Sequence, residues 1–136
     1  MFAARKRATL LFEAGPASDP YQHHLIVILT DPFGPAKQVV LVPICSIRNE
    51  FYDATCLVSA DEHVFLRHDS YVDYSYGRTE FAAVIEDRVR KGFFIPKGDA
   101  SEALFEKVLA GAFKSKRAKP FLRTDIRMAD AEHSKK

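Results

Sequence analysis

The chain has 136 residues, of which 47% are hydrophobic and 28% charged, and its formal net charge is +2. A chain of this size and composition can bury one sizeable core, which excludes general disorder and a fold that depends on metals or disulfides. We therefore predict a single domain over residues 1–136.

No secretory or membrane-spanning segment is predicted. The apolar runs ATLLF and LIVIL are too short for a signal-peptide core and far too short for a membrane span. These features predict a cytoplasmic protein with no membrane partner.

Basic residues are concentrated at the end of the chain. From Lys114 onward eight basic side chains stand against three acidic ones, whereas the preceding part has twelve basic and fifteen acidic ones. We predict a basic tail over residues 116–136. Two interpretations stay open, because such a tail can contact phosphates or can be a solvated, frayed terminus.

Short strands are predicted along the first two thirds of the chain. In chain order these segments are ATLLF (residues 8–12), the turn-rich connector at residues 15–20, HHLIVILT, QVVLVPICSI and TCLVS. Pro43 cannot donate a ladder hydrogen bond, which predicts that its strand bends there or lies at an edge.

The stretch HVFLRHDSYVDYSYG, residues 63–77, is dense in histidine, aspartate, arginine and tyrosine. It is predicted as two extended pieces, HVFL and SYVDYSY, that flank an RHD turn. Alternation in the second piece places Val72, Tyr74 and Tyr76 together on an inward face.

Two helices are predicted in the last third of the chain. The segment FAAVIEDRVRKG has helical apolar spacing and ends at Gly92, and FFIPKG then forms a connector. The segment DASEALFEKVLAGAFKS is the clearest helix, with Asp99 and Glu102 as a capping box. A strand-rich part over residues 6–81 and a helical part over residues 82–115 predict a mainly β or α+β domain.

The cysteine pattern and the absent motifs narrow the chemistry. Cys45 and Cys56 lie in apolar runs; two strands could pair them, but buried reduced thiols are favoured. The sequence has no CxxC pair, HExxH motif, P-loop or GxGxxG motif, so neither a metal nor a cofactor is predicted.

The segment RHDSY, residues 67–71, contains the groups that RNA cleavage without a metal requires. Such cleavage needs a base, an acid and a cation for the developing phosphorane charge. Histidine suits the first two roles, and arginine suits the third. We predict His68 as acid or base, Arg48 and Arg67 as phosphate contacts, and Tyr71 as a stacking platform.

Other residues are predicted to contact RNA more peripherally, namely His63, Arg78, Lys116 and Arg117. A purely structural interpretation of the same strip also stands. In that interpretation the aromatic residues fill a core, and Asp69 and Ser70 are ordinary turn residues.

The order of the motifs HLIVILT, VVLVPICS and FLRHDSYVDY resembles PemK/MazF-type growth-inhibitor toxins of bacterial toxin–antitoxin systems, over residues 23–76. The resemblance implies a small antiparallel SH3-like β-barrel that forms a homodimer and cleaves single-stranded RNA without a metal. It also implies a small antitoxin protein whose tail fills the RNA groove. Ser46 matches the hydroxyl residue of the family's site. The family's early-loop arginine has no counterpart here, which leaves Arg48 or Arg67 to replace it.

The leading hypothesis is thus a PemK-like, metal-independent endoribonuclease built as a small barrel with C-terminal helices. The alternative is a non-catalytic SH3-like barrel that binds a protein partner or nucleic acid.

Overall fold

The computed structural model describes residues 1–12 and 24–134. The predicted connector at residues 15–20, together with His23, lies outside these residues. The described elements are β1 (Ala8–Phe12), β2 (Leu25–Ile28), β3 (Gln38–Ser46), β4 (Leu57–Val58), β5 (Ser70–Val72), β6 (Arg78–Phe81), α1 (Ala82–Arg90), β7 (Phe94–Asp99), α2 (Glu102–Lys114) and α3 (Pro120–His133). Short 3₁₀ turns cover Ala60–Glu62 and Tyr74–Tyr76.

The strands form one antiparallel sheet in the order β4-β5-β3-β2-β1-β7. The long β3 pairs with β2 along one side; on the other side its first half pairs with β6 and its end with β5. The predicted α+β class with an antiparallel sheet and C-terminal helices is therefore confirmed. Over the described residues the pairing does not close the sheet into a barrel, because no ladder joins β4 to β7.

Strand β3 is the centre of the molecule because both of its faces are buried. Val40, Val42 and Ile44 lie in the core beneath α2 and α3, whereas Val39 and Leu41 lie in a second core beneath α1. An uninterrupted apolar run is the pattern expected of a strand that is covered on both sides.

Pro43 lies inside the sheet at the point where β3 changes neighbours. Its carbonyl accepts a hydrogen bond from the Asp73 amide at 3.1 Å, between the end of β5 and the start of β6. In an antiparallel strand the N–H and C=O of one residue point the same way. The missing N–H of Pro43 therefore faces the gap between β5 and β6. The predicted edge position is wrong, because β3 has partner strands on both sides.

The C-terminal half differs from the prediction before and at the start of α2. The segment predicted as a connector is β7, which pairs with β1. The predicted cap at Asp99 is wrong, since Ser101 is the N-cap of α2 and its hydroxyl accepts a hydrogen bond from the Leu104 amide at 3.1 Å. Asp99 instead ends β7 and forms an ion pair with Arg5 at 2.9 Å.

The predicted basic tail at residues 116–136 contains a packed helix, so a frayed terminus is the wrong interpretation for residues 120–133. Helix α3 begins with Pro120 at its first position, where a missing N–H costs nothing. The helix buries three side chains at helical spacing in the core that it shares with α2 and the sheet, namely those of Leu122, Ile126 and Ala129. The Thr79 hydroxyl donates to the Asp125 carboxylate at 2.6 Å and joins α3 to β6.

The strip at residues 63–77 is only partly extended. Residues 63–66 form a turn, β5 covers three residues, and a 3₁₀ turn replaces the rest of the predicted strand. The Asp73 carboxylate accepts hydrogen bonds from the Ser75 amide and hydroxyl, which favours this turn. The prediction for Tyr74 is confirmed, since it is buried, but Tyr76 is 48% exposed and does not share its face.

Candidate functional site

An open concavity of about 450 Å³ lies where β3 ends and β5 begins. Ser46, Ile47, Arg48, His68 and Asp69 line it. The tertiary fold therefore brings together the predicted catalytic hydroxyl, one predicted arginine and the predicted histidine.

Backbone pairing holds the two sides of this concavity together. Ser46 lies opposite Ser70 in the β3–β5 ladder, and the Ile47 amide donates to the Asp69 carbonyl at 3.0 Å. The buried Ser70 hydroxyl donates to the His68 carbonyl at 2.9 Å. The main chain of both segments is therefore fixed, while the side chains of Arg48 and His68 are exposed.

These side chains form a chemically coherent set. A guanidinium binds phosphate oxygens, an imidazole exchanges protons near neutral pH, and a hydroxyl can donate to a bound oxygen. Over residues 1–12 and 24–134 there is no group of three or more histidine, cysteine, aspartate or glutamate side chains that could hold a metal ion. Arg67 is exposed directly before His68 but does not line the concavity.

Tyr71 belongs to the opposite face of the same strands. Its neighbour Val72 points into the core beneath α2, so alternation turns Tyr71 to the other side. Its ring lies 5.6 Å from that of Tyr52, with 44° between the ring planes. Partial burial raises the pKa of the Tyr71 phenol, and the nearby Cys45 raises it further.

A buried carboxylate, which follows Tyr52 in the chain, is connected through Ser115 to the backbone of Arg117. Asp53 accepts a hydrogen bond from the Ser115 hydroxyl at 2.6 Å, and Ser115 accepts one from the Arg117 amide at 3.1 Å. Burial alone would raise the pKa of Asp53. Hydrogen bonds from Ser115 and Thr55, together with the charge of Arg117, outweigh burial and hold the pKa below its usual value.

Lys116 and Arg117 themselves are exposed in the connection between α2 and α3. Both are therefore accessible to a ligand, as the prediction of RNA contacts requires. Neither residue lines the concavity around Ser46.

His63 does not reach the concavity, because it is 8% exposed and both of its ring nitrogens are hydrogen-bonded. Nδ1 accepts from the Phe65 amide at 3.0 Å, and Nε2 lies 3.1 Å from the Thr9 hydroxyl. Since that hydroxyl donates to the Gly98 carbonyl at 2.6 Å, it accepts from His63, and the proton is on Nε2. The geometry gives His63 a structural role and no exposed surface for RNA.

Arg78 is also separate from the concavity. It begins β6 and lies opposite Leu41, in the first half of β3. Five residues of extended strand separate Leu41 from Ser46, which amounts to about 17 Å.

A second concavity, of about 350 Å³, lies between α2 and α3 and has an apolar floor that includes Leu29 and Leu109. It shares no residue with the predicted site. Its His133 is hydrogen-bonded to the Pro32 carbonyl and its Arg127 lies over the Phe113 ring, so both groups serve contacts within the protein.

The two cysteines are buried and unpaired, which confirms the prediction of reduced thiols. Burial, with a smaller effect of the Asp73 charge, raises the pKa of the Cys45 thiol to about 12. A thiol with so high a pKa is a poor nucleophile at neutral pH.

Sequence reasoning missed Tyr52, Asp53 and Ser115. These residues are brought together by contacts between distant parts of the chain, and FYDAT on its own has the composition of an ordinary polar link.

Comparison of the chain with models of known families, with characterised proteins and with solved structures gave no match. No helix in the described part of the chain has the length and apolar character to cross a membrane.

Proposed function

We propose that the protein is a PemK-like endoribonuclease that cleaves single-stranded RNA without a metal, with its reaction centre at the Ser46–His68 concavity. The observation that supports this most is the meeting of Ser46, Arg48 and His68 in one open depression. The Ser46–Ser70 pairing and the hydrogen bond from the Ile47 amide to the Asp69 carbonyl hold the main chain on both sides close together.

The proposed reaction is an internal transesterification. His68 takes the proton of the ribose 2′-hydroxyl, O2′ attacks the adjacent phosphorus, and the bond from phosphorus to O5′ breaks. O5′ takes a proton from water, and the hydroxide that remains takes the proton from His68. The products are a 2′,3′-cyclic phosphate on one fragment and a 5′-hydroxyl on the other. Arg48 stabilises the charge that develops on the non-bridging oxygens, and the Ser46 hydroxyl donates to one of them.

The proposal extends to further properties that the resemblance implies. These are a sheet related to the SH3-like barrel, a homodimer, a small antitoxin protein as partner and a cytoplasmic location. Arg67, next to His68 and exposed, would give the RNA backbone a second cation at the rim of the concavity.

Cleavage is tested with purified protein and mixed-sequence single-stranded RNA in excess chelator. Wild type should produce fragments with cyclic phosphate ends. His68→Ala and Arg48→Ala should each lower the rate by about 10²-fold or more, because each removes a group that acts in the transition state.

Matched controls are available on other elements. His133→Ala and Arg90→Ala remove exposed residues of α3 and α1 and should leave the rate within twofold of wild type. RNA that stays intact with wild-type protein across substrates and enzyme concentrations would refute the nuclease. RNA binding without cleavage would favour the non-catalytic alternative.

A further inference from the structure

A second exposed surface lies on the other face of the strands that form the concavity. Cys45, Tyr71 and Leu57 are direct neighbours across β3, β5 and β4, because Tyr71 pairs with both of the others. By strand alternation they lie on the face opposite Val72 and the core beneath α2. Leu57 is 46% exposed, whereas Cys45 is buried. Helix α1 lies on this side of the sheet, but its core involves β1, β2, β7 and the first half of β3.

Tyr52 extends this surface with a second aromatic ring. The rings of Tyr52 and Tyr71 lie 5.6 Å apart and are tilted by 44°, and both side chains are partly exposed. Aromatic side chains in such a position offer a stacking surface to any unpaired base, whatever its sequence.

The backbone of Arg117 is tied to the residue that follows Tyr52. The hydrogen bonds from Arg117 to Ser115 and from Ser115 to Asp53 connect the α2–α3 link to the residue that follows Tyr52. Because Asp53 is buried, this contact sets the position of the Arg117 backbone. The positive charge of Arg117 lowers the pKa of Asp53 and, against the larger opposing effect of burial, that of Tyr71.

We propose that Tyr52, Tyr71 and Arg117 form a nucleotide subsite for single-stranded RNA. A base stacks on the tyrosine pair, and the phosphate next to it forms an ion pair with Arg117. The identity of the ligand as RNA rests on the proposed function, whereas the subsite itself rests on the pair of partly exposed rings and on the exposed arginine whose backbone is tied to the residue after Tyr52. A positive charge combined with partly exposed rings complements a nucleic acid strand better than it complements a second copy of this chain.

The two surfaces meet at the end of the β3–β5 ladder. Ser46 lies opposite Ser70, and Tyr71 is the next residue on β5 but points to the other face. An RNA strand bound at both surfaces must therefore pass this end of the ladder. The base on the tyrosine pair would then belong to a nucleotide close to the cleaved bond.

The subsite is tested by binding, in a His68→Ala background that prevents cleavage. The probe is a short fluorescein-labelled single-stranded RNA of mixed sequence, followed by anisotropy. Tyr71→Leu and Tyr52→Leu should each weaken binding about 5- to 150-fold, whereas Tyr71→Phe and Tyr52→Phe keep the ring and should stay close to the parent. Arg117→Gln should reduce the slope of log K against log salt by about 0.7.

Control variants are Phe93→Leu and Arg90→Gln, which remove an exposed ring and an exposed cation near α1 and should bind like the parent. Parent-like binding by both leucine variants, or no RNA binding by the parent, would overturn the subsite. A change of oligomeric state in Tyr71→Leu with unchanged RNA affinity would overturn it in favour of self-association. Tight, ring-dependent binding in a protein that never cleaves RNA would support the subsite and refute only the nuclease.

Discussion

His63 is held in one protonation state by its neighbours. Phe65 donates to Nδ1, and the Thr9 hydroxyl is a donor to Gly98 and therefore an acceptor for Nε2–H. A proton on Nδ1 would point at the Phe65 N–H. Burial lowers the pKa of His63, an effect that outweighs the hydrogen bond with the Lys97 backbone.

This network predicts that stability falls on mild acidification. The folded-state pKa of His63 lies below the ordinary histidine value of 6.5, so between the two values the unfolded chain binds more protons than the folded one. The full contribution of His63 to the free energy of unfolding is present above pH 6.5 and is lost as the pH falls towards the folded-state pKa of His63. Asp53 and Glu62, whose pKa values are also lowered, act at more acidic pH because their unfolded values lie near 4.

Urea unfolding of wild type and His63→Asn at about pH 7.5 and about pH 5.5 measures this effect. The variant retains an acceptor for Phe65 but does not titrate, so its free energy of unfolding should depend less on pH. His68→Asn is the matched control because it leaves the buried network intact and should keep the dependence due to His63. Equal pH dependence in wild type and His63→Asn would contradict the assignment.

Helix α2 packs closely against the Tyr74–Tyr76 turn at Gly111. A methyl group on Gly111 would overlap the Tyr74 hydroxyl and lie 2.8 Å from the ring carbon that bears it. That hydroxyl donates to the Val108 carbonyl at 2.6 Å in the buried core. Glycine inside a helix lowers the stability of the helix by about 1 kcal/mol relative to alanine. The close packing of α2 on Tyr74, which needs the glycine, must therefore stabilise the protein by more than this loss.

We therefore expect Gly111→Ala to destabilise the protein by about 1–3 kcal/mol, as overpacking does, although alanine is the better helix former. The neighbouring Ala110 is exposed, and Ala110→Gly should cost about 1 kcal/mol from helix propensity alone. Chemical denaturation of both variants measures the two effects. A Gly111→Ala variant more stable than wild type would show that the contact with Tyr74 does not constrain α2.

The last helix, α3, is part of the core of the molecule, so it cannot be deleted without exposing that core. Leu122 is fully buried and packs against Gly77, where an added methyl group would lie 2.8 Å from its Cδ1. Deleting α3 would uncover the core that α2 and the sheet share. Loss of RNA binding after such a deletion would therefore report unfolding as well as lost charge.

Single substitutions in α3 separate these two effects. Leu122→Ala should lower the free energy of unfolding by about 2–5 kcal/mol, because it creates a cavity in the core. Met128, on the same helix, is 54% exposed, and Met128→Ala should change that free energy by no more than about 0.5 kcal/mol. Equal, small effects of both substitutions on denaturant midpoints would mean that α3 does not contribute to the cooperative core.

Local pattern alone was sufficient for the elements with strong periodicity or β-branched runs. The strands around Leu25–Ile28 and Gln38–Ser46 and the helices Ala82–Arg90 and Glu102–Lys114 were predicted from composition and spacing. Strand β7 and helix α3 were missed, since FIPKGD contains both proline and glycine and α3 has a high density of charged side chains. Pairing with β1 and burial of three α3 side chains stabilise these segments, and neither contact is visible in a local window.

Local pattern was sufficient to predict an α+β domain and the chemical types of the candidate residues. The fold settled the open pairing of Cys45 and Cys56, which are free buried thiols, and it established which of the candidate residues meet. The β3–β5 register brings Ser46 and Arg48 to His68, turns Tyr71 to the opposite face next to Tyr52, and leaves His63 buried against Thr9. Strand alternation decides to which face of the sheet a side chain points, and the register of a ladder decides which residues of distant segments lie opposite each other. The spacing of residues in the sequence specifies only which residues are neighbours along the chain.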